Sequence, residues 1–281
     1  GDAPLAGVTV KLFSDPNGDG NPADGVELGS TVTDATGAYS FTGLSVGSYV
    51  VVEVDPAGYQ SASDLDTTPD DAGSPPDAVN ANTNDNRIPV TLTADELDSG
   101  NDFVDEQYGS ITGRVMADTN NDATGDAPLG GVLLTLTTSG GATVSAATTD
   151  ANGRYAFNNL APGSYVVVET QPAGYDSVTD TDGGTDNRVA VAVRAGLVAQ
   201  ADFVEAARGG ISGFVLKDTD NNDTGDAALP GVTVKLFSDP NGDGNPVDGV
   251  EVASTVTDAT GAYSFTGVSV GSYVIVEADP A

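Results

Sequence analysis

The residues of this chain best placed to do chemistry are aspartates at regular spacing. Of its 42 acidic residues 34 are Asp and 8 are Glu. Asp118, Asn120, Asp122, Thr124 and Asp126 set an oxygen-bearing side chain at every second position, and Asp218, Asp220, Asn222, Thr224 and Asp226 repeat the pattern. A loop that curls around a centre turns alternate side chains inward, which is why positions 1, 3, 5, 7 and 9 serve a wrapped Ca2+. Two features of the usual loop are missing: the position-12 Glu is Leu129 or Leu229, and the position-6 Gly is Ala123 or Asp223. Asp2 is the surviving end of the same loop at the start of the chain.

A second acidic stretch, DPNGDGNPADGVE, runs from Asp15 to Glu27 and recurs with one change from Asp239 to Glu251. Asp15, Asn17, Asp19 and Asn21, with Gly20 at position 6, satisfy the first half of the EF-hand pattern, as do Asp239, Asn241, Asp243 and Asn245. Asp24 and Glu27, and likewise Asp248 and Glu251, can close the shell, although the Glu is one residue out of register. Where these loops fall, the middle of the chain carries only TTSGGATVSA, a plain Gly-Gly hairpin. An acidic insertion in some copies alone is hard to explain by turn-making. A third grouping, Asp64, Asp66 and Asp85, is matched by Asp180, Asp182 and Asp186, and reads equally well as a solvated turn. Flexible loops of oxygen donors favour Ca2+ over Mg2+, which keeps its waters and demands stricter geometry. Zn2+ is disfavoured without His or Cys.

Catalysis finds little support. With no His and no Cys, neither a Ser-His nor a Cys-His relay can form, and no Gly-rich phosphate loop is followed by Lys. Glu53, Glu169 and Glu277 sit mid-strand among apolar residues. A buried carboxylate needs a partner, so the plainer reading is an outward-facing strand position. The net charge of −33 argues against nucleic acid, whose phosphates such a surface would repel. Long apolar runs are absent, so no membrane insertion is expected of this segment.

The elements that must position these loops come from a cassette present three times. TDANGRYAFNNLAPGSYVVVETQPAGY, Thr149 to Tyr175, is echoed by TDATGAYSFTGLSVGSYVVVEVDPAGY from Thr33 and TDATGAYSFTGVSVGSYVIVEADPA from Thr257. Asp150 and Gly153 suit a tight turn. Tyr155 and Phe157 then alternate with small or polar neighbours, as in a half-buried strand. After the turn at Pro162-Gly163 comes an apolar strand, Tyr165 to Glu169, which Pro172 ends because it has no N–H to give. GSITGRV at 109 and GGISGFV at 209 read as one opening strand, and DFVDEQY (102–108) and DFVEAAR (202–208) as one closing strand. The expected domains are 1–108 without its first strand, 109–208 complete, and 209–281 without its last strands. Residues 1–57 and 225–281 differ at eight positions only, so the outer units are one subtype and the middle unit another. Linkers this short favour a rod. The Asx-rich stretches 61–87 and 176–188 lack apolar periodicity and read as loops. Helix is nearly absent, with one turn conceivable in TADELDSG (93–100).

The combined pattern, with G-x-V-x-x-D-T-N-x-D, T-T-D-x-x-G-x-Y-x-F and P-G-x-Y-V-V-x-E-x-x-P-x-G-Y, resembles the B domains of serine–aspartate repeat adhesins. These belong with the collagen-adhesin B-type, prealbumin-like sandwiches. The resemblance spans essentially the whole chain. It implies an all-β fold of tandem prealbumin-like or Ig-like β-sandwiches end to end, serving as a Ca2+-stabilised stalk repeat of a secreted or cell-surface protein. It also implies that Asp118, Asn120, Asp122 and Asp126 form the acidic Ca2+ loop. Related sandwiches carry an internal Lys–Asn isopeptide bond promoted by a Glu placed like Glu169. Here Ala117 stands in the middle unit where Lys217 stands in the third, and the middle closing strand has no Asn, so no such bond is expected there.

The expected function is therefore structural and extracellular rather than catalytic. The expected partners are neighbouring repeats or like chains, with any host or surface ligand outside this segment. Two alternatives are a self-assembling extracellular filament subunit and a ligand-binding adhesin module. The second is disfavoured because Tyr and Phe fall on core-like alternations.

Overall fold

The computed structural model describes residues 3–66 and 84–278. Val, Ile, Tyr and Phe on period-two alternation make strands, because a branched or aromatic side chain packs well on a half-buried pleat. Among the described residues the helical content is a single 3-10 turn, Pro22–Asp24. No helix among them is long and apolar enough to cross a membrane.

Strand pairing falls into three sets. The first holds β1 (Thr9–Ser14), β2 (Glu27–Val32), β3 (Gly47–Val54), β4 (Tyr59–Asp66), β5 (Arg87–Leu92) and β6 (Asn101–Gln107). Its sheets are ordered β2-β1-β3-β5 and β4-β6. The second runs through β7 (Gly109–Asp118), β8 (Ala127–Pro128), β9 (Leu133–Thr138), β10 (Thr143–Thr148), β11 (Arg154–Leu160), β12 (Gly163–Glu169), β13 (Tyr175–Asp180), β14 (Arg188–Val193), β15 (Val198–Gln200) and β16 (Phe203–Ala207). It forms β10-β9-β12-β14 and β11-β7-β16-β13, with β8 and β15 on β7. The third set is β17 (Gly209–Phe214), β18 (Leu216–Lys217), β19 (Ala227–Ala228), β20 (Thr233–Ser238), β21 (Glu251–Val256), β22 (Ala262–Val268) and β23 (Tyr273–Glu277). Its sheets are β17-β22, β18-β19 and β21-β20-β23. By compactness the chain divides into two units, residues 1–110 with 158–163 and 192–199, and residues 111–157, 164–191 and 200–281.

The middle set shows why a sandwich results. Val189, Val191 and Val193 on β14 are buried while their neighbours are exposed, and Tyr155 and Phe157 on β11 alternate likewise. On β12 one face is buried at Val167 and Glu169, and the other, at Val166 and Val168, is half-buried. Phe203, Ile111, Leu134, Leu136 and Val167 are wholly or almost wholly enclosed. The opening strand β7 lies parallel to the closing strand β16, with Val115 beside Phe203 and Ala117 beside Glu205. Gly113 on β7 permits a close approach: a Cβ there would stand 1.8 Å from the Ala201 carbonyl oxygen, the same oxygen that accepts the Tyr155 hydroxyl at 2.5 Å.

Several expectations hold locally. Gly153 takes φ +71°, and the Asp150 carboxylate accepts the Asn152 N–H at 2.8 Å and the Arg154 N–H at 2.9 Å. The Gly-Gly hairpin closes with Gly141 at φ +87° donating to the Thr138 carbonyl. Two expectations fail. The stretches after Tyr59 and Tyr175 are not loops from their start, since β4 continues to Asp66 and β13 to Asp180. Each pairs with a closing strand, Asp64 beside Phe103 and Asp180 beside Phe203. The ladder supplies the backbone bonds, so a strand forms without apolar alternation. In 93–100 no helix forms; a non-helical turn at Ala94 and Asp95, with Asp95 at φ +63°, is held by Glu96, which accepts the Thr93 N–H at 2.6 Å.

Candidate metal centres

Four acidic loops share one backbone. In each, the first Asp receives the N–H of position 4 on one carboxylate oxygen and that of position 6 on the other. The distances are 2.9 and 2.8 Å for Asp15 with Gly18 and Gly20, and 2.7 and 2.8 Å for Asp118 with Asn121 and Ala123. They are 2.7 and 2.9 Å for Asp218 with Asn221 and Asp223, and 2.9 and 3.1 Å for Asp239 with Gly242 and Gly244. Positions 4 and 6 are left-handed throughout, at φ from +62° to +77°. Gly adopts this conformation freely. Ala123 and Asp223 adopt it too, so the missing position-6 Gly does not change the loop.

This curl directs the remaining oxygens inward. One carboxylate oxygen each of Asp15, Asp19 and Asp24 lies within 4.8 Å of the others, and the same is true of Asp239, Asp243 and Asp248, and of Asp218, Asp220 and Asp226. Asn17 and Asn241 donate to Asp19 and Asp243 at 3.0 and 3.1 Å. Asn21 and Asn245 instead accept the N–H of Ala23 and Val247, both at 3.1 Å. Around Asp118 no such carboxylate triple forms among the described residues: Asn120 donates to Asp122 at 3.2 Å, and Thr124 donates its N–H there at 2.8 Å. In the sister loop Asp and Asn exchange places, so Asp220 joins the triple while Asn222 accepts from Thr224. Asp126 and Asp226 each accept both the N–H and the hydroxyl of a Thr, Thr119 or Thr219, at 2.8 Å.

Burial pushes the Asp118 carboxyl up, but the N–H groups of Ala123, Asn121, Asn120 and Asp122 together outweigh it and hold it below the ordinary Asp range. Asp218 is held down in the same balance. Both therefore stay anionic, as a cation ligand must. The donor set is all hard oxygen, which fits Ca2+. Glu27 and Glu251 do not join the triples. They begin β2 and β21 and pair with Lys11 and Lys235 at 2.9 and 2.7 Å. Asp2 lies outside the described residues.

The third grouping does not converge into a carboxylate triple. Asp64 is buried and accepts the Asn86 N–H at 2.7 Å and the Ser61 hydroxyl at 3.0 Å. Asp180 and Asp182 both accept the Gly184 N–H, while Asp186 accepts the Arg188 N–H at 3.2 Å. Asp66 and Asp85 remain at the two ends of the stretch that contains residues 67–83.

Glu53 and Glu169 correct the expectation of an outward-facing position, whereas Glu277 is exposed. Glu169 on β12 meets Glu205 on β16 across the two sheets, carboxyl to carboxyl. Glu53 on β3 meets Asp105 on β6 in the same way. Burial, then the partner's charge, raises both Glu53 and Glu169 to about 8. The sequence reading missed Asp105 and Glu205. The signal was there: each stands two residues after a core-facing Phe, the half-buried Phe103 or the enclosed Phe203, so period two puts it on the inward face.

The sequence pattern of the SdrD B-like domain matches residues 1–103, 109–204 and 209–281. The chain belongs to the SdrD B-like domain family. Among similar proteins, serine-aspartate repeat-containing protein D of Staphylococcus aureus strain MW2 is 28% identical over 99% of this chain and 20% of its own length. Serine-aspartate repeat-containing protein F of Staphylococcus epidermidis strain ATCC 12228 is 33% identical over 66% of this chain and 10% of its own. This SdrD B-like chain thus spans a fifth or less of the curated relatives it matches. Among solved structures, the streptococcal ancillary pilin aligns with 98% of the chain and 84% of its own at 17% identity and a TM-score of 0.36. The Bacillus anthracis TIE protein aligns with 99% and 43% at 19% identity and 0.35.

Proposed function

We propose that this chain is a Ca2+-stabilised structural repeat array, a stalk or fibre segment of an adhesin-like protein displayed outside the cell. The observation that carries the reading is the shared loop backbone that gathers three carboxylates at Asp15, at Asp218 and at Asp239. Membership of a B-like domain family whose pattern recurs three times in one chain supports the structural role. The mechanism is thermodynamic. Clustered carboxylates repel one another without metal; a bound cation neutralises them and stabilises the fold by about 2.7 kcal/mol when it is ~100-fold above Kd. Extracellular modules of this kind bind at about 10⁻⁴–10⁻³ M, so millimolar Ca2+ outside cells is the relevant range.

The test is calorimetry and small-angle scattering of the purified chain in Ca2+ and after chelation. A fall in melting temperature and in maximum dimension on chelation supports the reading. Unchanged melting and dimension defeat it. Concentration-dependent growth of the particle in Ca2+ would instead favour a self-assembling filament.

A further inference from the structure

Two carboxyl pairs lie inside the sandwiches, outside the four acidic loops, with Asp180 near Glu169 and Asp64 near Glu53. Glu169 and Glu205 come from facing sheets, and both are buried. Among the described residues no donor reaches either oxygen of Glu169 or the Oε1 of Glu205. The other Glu205 oxygen accepts from the Gln171 amide, which is itself held by Asn187 at 2.8 Å. Among the described residues no cation of the neighbouring strands is buried with the pair: Arg114 on β7, Arg154 on β11 and Arg188 on β14 are all exposed. Asp180 and Asp176 approach from β13, Tyr155 from β11, and the uncharged Ala117 and Leu134 stand opposite on β7 and β9. Arg208 is engaged by Asp176 at 2.6 Å. The carboxylate triples among the described residues are all in the loops, so no third carboxylate completes a cation shell here. The first unit repeats the arrangement with a shorter partner: Glu53 and Asp105 keep unpartnered oxygens, and Asp55 stands where Gln171 does.

Two carboxylates in contact in a dry interior cannot both ionise, whereas one acid and one carboxylate make a short, strong hydrogen bond. We infer that Glu169 and Glu205 share a single proton that ties the two sheets together, and that alkaline pH releases this proton to solvent and loosens the sandwich. The Glu53–Asp105 pair does the same in the first unit. Burial raises Glu169 in the folded state to about 8, whereas an unfolded Glu sits near ~4.3. A raised folded value means the contribution is complete at pH below the unfolded value and is lost as pH climbs through the folded one. Within that window the folding constant falls about tenfold per pH unit for each such proton.

The experiment uses the whole chain in chelator, so that the loops play no part. Side-chain carboxyl NMR follows Glu169 and Glu205 from pH 4 to 10, and melting is recorded for the wild type, for Glu169→Gln and for the double variant Glu53→Gln with Glu169→Gln. One carboxyl of the pair should titrate above neutrality. Wild-type melting should decline between pH 5 and 8; above pH 6, where Asp180 (raised to about 6 by burial) adds little, the decline should be reduced in the single variant and flat in the double. Ordinary titration of both groups below pH 5, or a variant whose decline matches the wild type, overturns the inference. If the variants do not fold, the wild-type titration decides alone.

Discussion

At the scale of single residues the acidic loops allow separate predictions for charge and for backbone. Asp15 holds its loop through the N–H groups of Gly18, Asp19 and Gly20 as well as joining a carboxylate triple. Asp19→Asn leaves that scaffold in place and removes one charge from the triple. It should abolish most of the Ca2+-induced rise in melting of that unit while moving the chelated midpoint little, as read by calorimetry. Ala123 tests the backbone. It sits at φ +64°, which costs a non-glycine residue about 1–2 kcal/mol, while glycine's greater freedom when unfolded costs about 0.5–1 kcal/mol. Ala123→Gly should therefore stabilise the chain by roughly 0.5–1 kcal/mol in denaturant titration. A loss of stability would mean that the loop is not left-handed there.

At the scale of elements the middle sandwich depends on how β7 lies against its neighbours. Gly113 has no room for a Cβ beside the Ala201 carbonyl and the Tyr155 hydroxyl. Gly113→Val should force the opening strand off its neighbours and destabilise by more than ~3 kcal/mol, the range of strong overpacking. Proteolysis or calorimetry would show a lost middle transition. Phe203 is fully enclosed on the closing strand, and Phe203→Ala should cost about 3–5 kcal/mol. The closing strand thus does two jobs with alternate residues: Phe203 fills the core and Glu205 reaches across it.

At the scale of the molecule a net charge of −33 makes self-repulsion part of the stability balance. Screening weakens exposed charge interactions beyond a Debye length of about 8 Å at physiological salt. Added NaCl should therefore raise the melting temperature of the chelated chain and have a much smaller effect once Ca2+ is bound. Equal salt effects in both states would argue that the loops do not hold the repelling charge. Acid should act oppositely on loops and core. Asp118 and Asp218 are held below the usual range, so their contribution is present above the unfolded Asp value and lost as pH falls through the folded one. The buried pairs lose theirs as pH rises, so stability should peak at mildly acidic pH.

Much of this was written in the order of residues. The cassettes, the opening and closing strands and the alternate-oxygen loops were legible because each rests on short-range geometry: period two along a strand, φ > 0 at fixed loop positions, a tight turn at Asp150 and Gly153. The polar strands β4 and β13 were not legible, since their backbone bonds come from closing strands about 40 residues away in the chain at Phe103 and about 20 away at Phe203. Alternation alone says that two faces differ without saying which is inside. Only the packing of one sheet on the other turned Glu169 inward and set Glu205 against it, and that contact decides the protonation of both.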